Sequence, residues 1–222
     1  MRKFVPAYEG NLRKHALSVP RCISECSGIR VFGRRIKSLV FSTDVAIIKN
    51  INADAIIAVY PFTPQPAITQ AIIGVSEVPV FCGVGGGLTN GVRSASMAAY
   101  VEHQGAYGVV CNSKIGVETI HAIKDAVEIP VVYTVISENT DIQPYLTAGV
   151  DIINVSGAAR TPEIVGALRQ RYPELPIIAT GGPTEESILA TIRAGANAIT
   201  YTPPSSASLF AKIMADNRSE LE

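Results

Sequence analysis

From residue 38 onward, short runs of β-branched and aliphatic residues alternate with stretches in which apolar residues recur every three or four positions. The first kind reads as buried strand and the second as amphipathic helix. Their regular alternation argues for parallel strands joined by crossover helices. Strands are predicted at 38–42, 55–60, 78–82, 108–112, 130–135, 151–155, 176–180 and 198–202. Helices are predicted at 45–51, 67–75, 92–104, 116–126, 142–148, 162–172, 185–193 and 207–217. Eight βα units point to an α/β fold, a closed (β/α)8 TIM barrel over 37–217. A doubly wound open sheet is the alternative, but it needs no eighth strand. Local signals agree with the pattern. Pro162 follows Thr161 at a helix start, and Gly149 and Gly195 sit where helices turn back into strands.

Residues 1–36 do not follow the repeat and read as a basic N-terminal extension; 218–222 read as a C-terminal tail. The stretch "GIRVFGRRIK" predicts a hairpin turning at Phe32-Gly33 and capping the bottom of the barrel. Pro6 and Pro20 flank a segment expected to wrap the outside.

Composition changes this picture in one respect. The chain is 47% hydrophobic and 17% charged with zero formal net charge. That suits a core-rich domain and disfavours a globally basic nucleic-acid binder. Yet 1–37 hold nine Lys/Arg against two Asp/Glu, a net of +7, so the rest of the chain carries −7. Such an arm either lies on acidic surface, its own or that of a neighbouring subunit in a homo-oligomer, or attracts anionic ligands and RNA. No apolar run reaches the length of a membrane span, and the N-terminus lacks a signal-peptide pattern. The four cysteines form no C-x-x-C pair, so reduced thiols and a cytoplasmic location are expected.

Barrel chemistry sits at the C-terminal ends of the strands. The seventh strand ends in Thr180-Gly181-Gly182 before an amphipathic helix, a turn that lets backbone N–H groups approach an anion at a helix N-terminus. Gly181 and Gly182, with Ser205 and Ser206 at the start of the last helix, are therefore the candidate phosphate-binding groups. The two serines read equally well as helix caps. Thr180 and Thr202 end the last two strands beside them. Gly85, Gly86 and Gly87, within the run from Gly83 to Gly87, are candidate ligand-binding positions or a tight loop; no dinucleotide fingerprint surrounds them.

Five residues are candidates for catalysis. Asp44 and Glu138 are carboxylates near the rim, Asp44 doubling as a helix N-cap. Lys114 is the single lysine at a strand end, suited to a phosphate or a Schiff base. Asn154 and Ser156 end the sixth strand, and Arg160 beyond them is a candidate clamp for a carboxylate or phosphate. His15 lies in the arm, while His103 and His121 fall on outward-facing helices. Cys82 and Cys111 read as buried small residues. No zinc, Walker or nucleophile-elbow pattern occurs, so no metal and no cofactor is implied.

These residues also carry a resemblance. The region from Ser38 to Ser206 resembles the ribulose-phosphate-binding superfamily of TIM barrels. Its second half, in "IINVSGAAR", "PEIVGALRQRYPELPIIATGG" and "AGANAITYTP", is similar to glycerol-3-phosphate-responsive antiterminators. The chain also looks like bacterial proteins generically labelled hydrolase. The resemblance implies a small phosphorylated metabolite bound by Gly181, Gly182 and the residues after Thr202. Two departures stand out: Thr202-Pro203-Pro204 replaces the superfamily's glycine turn, and Asn154 and Ser156 stand where related aldolases carry a Schiff-base lysine. The expected activity is that of a small-molecule enzyme, a lyase, isomerase or hydrolase. The alternative is a metabolite sensor of the antiterminator kind whose arm contacts RNA.

Overall fold

The computed structural model describes Phe4, Pro6, Ala7, Tyr8, Gly10 and residues 17–219. It begins with a 3-10 turn, Arg21–Glu25, and an antiparallel hairpin, β1 (Ile29–Val31) and β2 (Arg34–Ile36). Eight βα units follow. They are β3 (Ser38–Phe41), α1 (Val45–Asn50), β4 (Ala55–Ala58), α2 (Pro66–Val75), β5 (Val80–Gly85), α3 (Val92–His103), β6 (Gly108–Cys111), α4 (Val117–Ala126), β7 (Val131–Val135), α5 (Gln143–Thr147), β8 (Ile152–Val155), α6 (Thr161–Arg171), β9 (Ile177–Thr180), α7 (Glu185–Arg193), β10 (Ala198–Tyr201) and α8 (Ser206–Ser219). Strands β3 to β10 pair in parallel in sequence order, and β10 closes on β3. The chain folds as a (β/α)8 TIM barrel.

Alternation along each strand divides the core into two layers. Val40, Ile56, Cys82, Val109, Val131, Ile153, Ile177 and Ile199 face the helices. Leu39, Ile57, Phe81, Val110, Val132, Ile152, Ile178 and Ala198 fill the ring itself. The hairpin closes the bottom as its sequence suggests: Val31 and Ile36 are buried among the ring residues. Phe32 and Gly33 both take positive φ, 46° and 81°. A tight two-residue hairpin turn requires this. Phe32 then sits edge-on to Tyr107 with 5.6 Å between ring centroids. The Arg34 guanidinium lies over the same ring, 5.9 Å from its centroid.

Polar side chains fasten the bottom at strand entrances. Asp54 accepts from the Lys37 and Ser38 amides, Asp151 from Val131, Glu102 from Ile129, and Asn197 from Ile177. Arg169 joins α6 to this end, donating to the carbonyls of Gly195, Pro173 and Leu175 and to Asn197 Oδ1 at 2.7–3.2 Å. These acids serve the architecture.

The observed elements depart from the sequence pattern in a few places. Strand β5 runs on to Gly85 instead of stopping at Cys82, with a shift in its pairing to β6 between Gly83 and Gly85. Short 3-10 turns at Arg21–Glu25 and Ala158–Arg160 have no periodic signal. Helix α8 continues to Ser219, into the stretch read as a tail. Of the segment between Pro6 and Pro20, residues 9 and 11–16 lie outside the described residues; residues 17–26 run along the barrel. Leu17 bridges to Ile51 at the end of α1, Ile23 and Cys26 are buried, and the 3-10 turn packs on α7. His103 and His121 are exposed on their helices, whereas His15 lies outside the described residues. Among the described residues no helix is long and apolar enough to cross a membrane.

Candidate functional site

A cavity of about 530 Å³ opens at the C-terminal end of the ring. Its two walls differ in chemistry. On the side of β3 and β4, Phe41, Ile57, Val59, Pro61, Phe62 and Pro64 form an apolar wall. On the side of β7 to β10, Thr134, Asn154, Ser156, Thr180, Thr200 and Thr202 supply hydroxyls and one amide. Between them, β5 and β6 contribute Gly83, Gly85, Gly87, Asn112 and Lys114. Among the described residues that line it, Lys114 is the one charged group; no carboxylate, histidine or cysteine is present.

The polar wall follows from strand parity. Ile152, Asn154 and Ser156 point inward in turn along β8 and beyond, as do Ala198, Thr200 and Thr202 along β10. Each series passes from apolar floor to polar mouth. The Asn154 amide donates to Thr134 Oγ1 at 3.3 Å, while Asn154 Oδ1 and Thr200 Oγ1 are buried with no protein partner. Buried polar atoms are rarely left unpaired, so this floor is made to meet a polar ligand group or water.

Lys114 is carried by a braced loop. Tyr133 and Tyr145 stack at 4.0 Å with 9° between their planes. Tyr133 Oη donates to the Ser113 carbonyl at 3.3 Å and Tyr145 Oη to the Ile115 carbonyl at 3.1 Å, one on each side of Lys114. Burial pushes the Tyr133 phenol well above its usual range, so it remains a neutral donor. Asn112 Oδ1 accepts from the Lys114 amide and tightens the same turn.

The glycines of β5 are set by packing. A Cβ on Gly85 would lie 2.8 Å from the Thr89 carbonyl, and Gly86, at φ 102°, would press one 2.8 Å from the Asn112 backbone. Gly85 and Gly87 line the cavity, whereas Gly86 serves this close approach of two loops.

The other sequence candidates fall outside the cavity lining. The Asp44 carboxylate caps α1, accepting from the Ala46 and Ile47 amides at 3.0 and 3.3 Å, and also accepts from the Ser206 amide at 3.2 Å. Hydrogen bonding from Ser206 above all holds it below the ordinary carboxylate range. It therefore caps the first turns of two helices. Glu138 pairs with Arg160, which also reaches Glu163 at 3.4 Å. Hydrogen bonds from its own backbone and from Arg160 lower the Glu138 pKa. The two candidates thus engage each other.

The expected phosphate cradle is likewise engaged. The Gly181 amide donates to the Thr200 carbonyl at 3.2 Å, and a Cβ there would lie 2.7 Å from Ile188 Cγ1. Gly182 takes φ 83° against Ser187. The start of α7 is closed by a reciprocal Thr184–Ser187 capping box and carries Glu185 and Glu186, which oppose a second anion. At the start of α8, Ser205 Oγ accepts from Ser208 N, and the anion meeting Ser206 is Asp44. Gly181 and both serines thus have architectural partners, while Gly182 takes a conformation that favours glycine. Thr180 and Thr202, beside them, face the cavity.

Sequence reasoning placed Pro61 and Phe62 at a strand end but missed Phe41, Ile57, Val59 and Thr200. Inward parity was the available signal, since Phe41 follows Leu39, and Val59 follows Ile57, at the two-residue spacing of one strand face. Cys82 and Cys111 are buried between ring and helices, with their thiols pushed up to about 12 by desolvation. They are inert core residues. Among the described residues no cluster of His, Cys, Asp and Glu is arranged to hold a metal.

No protein-family model and no curated protein matches the chain. Solved structures do. A 2,3-dimethylmalate lyase, described as a PEP mutase/isocitrate lyase superfamily member, aligns with TM-score 0.65 at 14% identity over 90% of this chain and 85% of that one. A phosphoenolpyruvate phosphomutase from Streptomyces platensis subsp. rosaceus aligns at 0.62 and 16%, over 82% and 80%. A phosphonopyruvate hydrolase in complex with oxalate and Mg++ aligns at 0.62 and 16%, over 83% and 80%. These neighbours support the TIM barrel and not the antiterminator likeness. At such identities the likeness is one of fold.

Proposed function

We propose that this chain is a small-molecule enzyme, a lyase, isomerase or hydrolase, whose substrate is a small phosphorylated metabolite seated in the barrel mouth. One observation carries the reading: a cavity of about 530 Å³ that sets Lys114, the one cation among the described lining residues, and a wall of hydroxyls against an apolar wall. A cation with no carboxylate beside it among the described lining residues favours an anionic ligand at the mouth. Thr180 and Thr202 supply hydroxyl donors near the ends of β9 and β10, the side on which the glycine turn led to a phosphate expectation. Asn154 and Thr200 fit a hydroxyl or carbonyl deeper in, and Phe41 and Phe62 fit the carbon skeleton.

The chemistry such a site performs would centre on Lys114, as point charge on a developing anion or as an amine nucleophile, with Asn154 and Ser156 as hydrogen-bonding partners of the reacting group. The solved neighbours named as lyase, phosphomutase and hydrolase fit this range of reactions by analogy of fold. The sensor alternative gains no support from the arm. In its described part, Arg35 and Lys37 bond the Ser27 and Ser24 carbonyls, and Arg34 covers Tyr107.

A thermal-shift panel of phosphorylated metabolites, each beside its unphosphorylated counterpart, tests the reading. A ligand at 100-fold its dissociation constant raises stability by about 2.7 kcal/mol. The hit is expected to need its phosphate and to disappear in Lys114→Met, whose melting temperature without ligand stays that of the parent chain. A hit indifferent to Lys114→Met removes the cation from the site, and a panel without any hit overturns the ligand class.

A further inference from the structure

Asn154 and Thr200 belong to one layer of the ring. Asn154 on β8 pairs with Ile178, and Ile178 pairs with Ala198 on β10. Strands of an eight-stranded barrel are staggered by about one residue each. The level of Asn154 on β10 is therefore two residues past Ala198, at Thr200. The same step leads from Thr200 through Leu39 and Ala55 to Ile57 on β4. From Ile57 it leads through Phe81 and Gly108 to Val110 on β6. Ile57, Val110, Asn154 and Thr200 thus form the deepest layer that lines the cavity, one side chain from every second strand. Below it Leu39, Phe81, Val132 and Ile178 fill the ring. Half of the deepest layer is apolar and half polar, and its two polar members are neighbours.

This floor also has a hydrogen-bonding sense. Thr200 is 6% exposed, and its Oγ1 has no protein partner. Asn154 turns its amide nitrogen to Thr134 Oγ1, which leaves the buried, unpartnered Oδ1 for the cavity. An amide oxygen only accepts, whereas a hydroxyl donates and accepts. A ligand group that satisfies both must therefore donate to Asn154. A ketone or carboxylate oxygen only accepts and would leave Asn154 Oδ1 unpaired. An ammonium donates, but it would place a charge beside Ile57 and Val110 with no carboxylate in the described lining. A hydroxyl meets both atoms and reproduces the bonds of any water it displaces.

We infer that the ligand of this cavity carries a hydroxyl at its deep end, held between Asn154 Oδ1 and Thr200 Oγ1, and that these two residues select it. For the ligand's other end the inference rests on the reading above of an anion at the mouth. Thr202 lies two residues above Thr200, about 6–7 Å along a strand, which sets the hydroxyl about three to five carbons from the phosphate.

Isothermal titration calorimetry with phosphate monoesters of three to five carbons tests this. Each ω-hydroxyalkyl phosphate is compared with the n-alkyl and ω-carboxyalkyl phosphates of the same length. The best hydroxyalkyl phosphate is expected to bind at least about tenfold more tightly than its two counterparts. That comparison is made on the parent chain and depends on no variant folding. Thr200→Val and Asn154→Leu, which roughly keep the volume, should each remove the preference while leaving the n-alkyl phosphate bound as before. Lys114→Met should weaken all members of a set alike and keep their ratio. Equal affinities within every set overturn the inference and leave the anion reading standing, as does a preference that survives Thr200→Val together with Asn154→Leu. A hydroxyl preference with affinity unmoved in Lys114→Met overturns the anion reading and leaves this one. A chain that binds none of these probes overturns the inference, and the metabolite panel then decides the anion by itself.

Discussion

The two ends of this barrel are built from the same strands and obey opposite rules. At the bottom, inward positions are apolar and large, strand entrances are fastened by Asp54, Glu102, Asp151 and Asn197, and a hairpin seals the opening. At the top, the same inward rows turn to Thr, Asn, Ser and Gly around an open cavity, and the described lining holds one charge. Asp54, Glu102 and Asp151 hold backbone amides at the bottom, and among the described residues no carboxylate lines the cavity. Asp44 and Glu138 are engaged elsewhere, by helix amides and by Arg160.

Substitutions at the two ends should separate stability from binding. Phe81→Ala, in the floor of the ring, is expected to have the largest effect, destabilising by about 3–5 kcal/mol in urea denaturation through the cavity it leaves. Arg169→Ala removes charged donors from several carbonyls at the bottom and should destabilise by about 2–3 kcal/mol, without changing the affinity of any ligand found in the panel. If either variant weakened binding while leaving the urea midpoint alone, the division of labour would be wrong.

At the top, Tyr145→Phe takes one brace from the Lys114 loop. It should cost about 1 kcal/mol and weaken phosphate-dependent binding several-fold. Loss of stability with unaltered affinity would make the tyrosine pair mere packing. The smallest effect concerns Asp44. Its pKa is lowered by folding. Its contribution is therefore fully present above the unfolded value, about 4, and fades as pH falls through the lower folded value. Asp44→Asn should cost about 0.3–1 kcal/mol at neutral pH and converge with the parent chain at acid pH. Unchanged ligand turnover in that variant would fix Asp44 as a cap and not a base.

How much of this was legible depends on the range of the interaction. All eight strands could be read because each is a run of apolar residues whose inward and outward neighbours are both buried. The Phe32-Gly33 hairpin is a local turn flanked by a strand pattern, and it too was readable. The end of β5 was hidden because glycine reads as a break, yet Gly83 and Gly85 stay in the strand through a shift in pairing. Asp44 shows its N-cap role in its own segment, but its second partner, Ser206, is 162 residues away. The Glu138–Arg160 pair spans 22 residues and two loops, and nothing local marks it. Gly181-Gly182 looked like an anion cradle because its sequence fits one. Only the fold reveals that the Thr200 carbonyl already accepts from the Gly181 amide.

The segment at 17–28 has a consequence for how the molecule is made. Its 3-10 turn rests on α7, and the Gly28 amide donates to the Asn197 carbonyl, just ahead of β10, the last strand to be synthesised. Residues 17–28 therefore wait for the strands that close the barrel. Until translation delivers β9, α7 and β10, the 3-10 turn that carries Ile23 lacks the helix it packs on, and β3 lacks one of its two neighbours. Closure is a late, long-range event, the kind that slows folding and leaves apolar surface exposed to aggregation meanwhile.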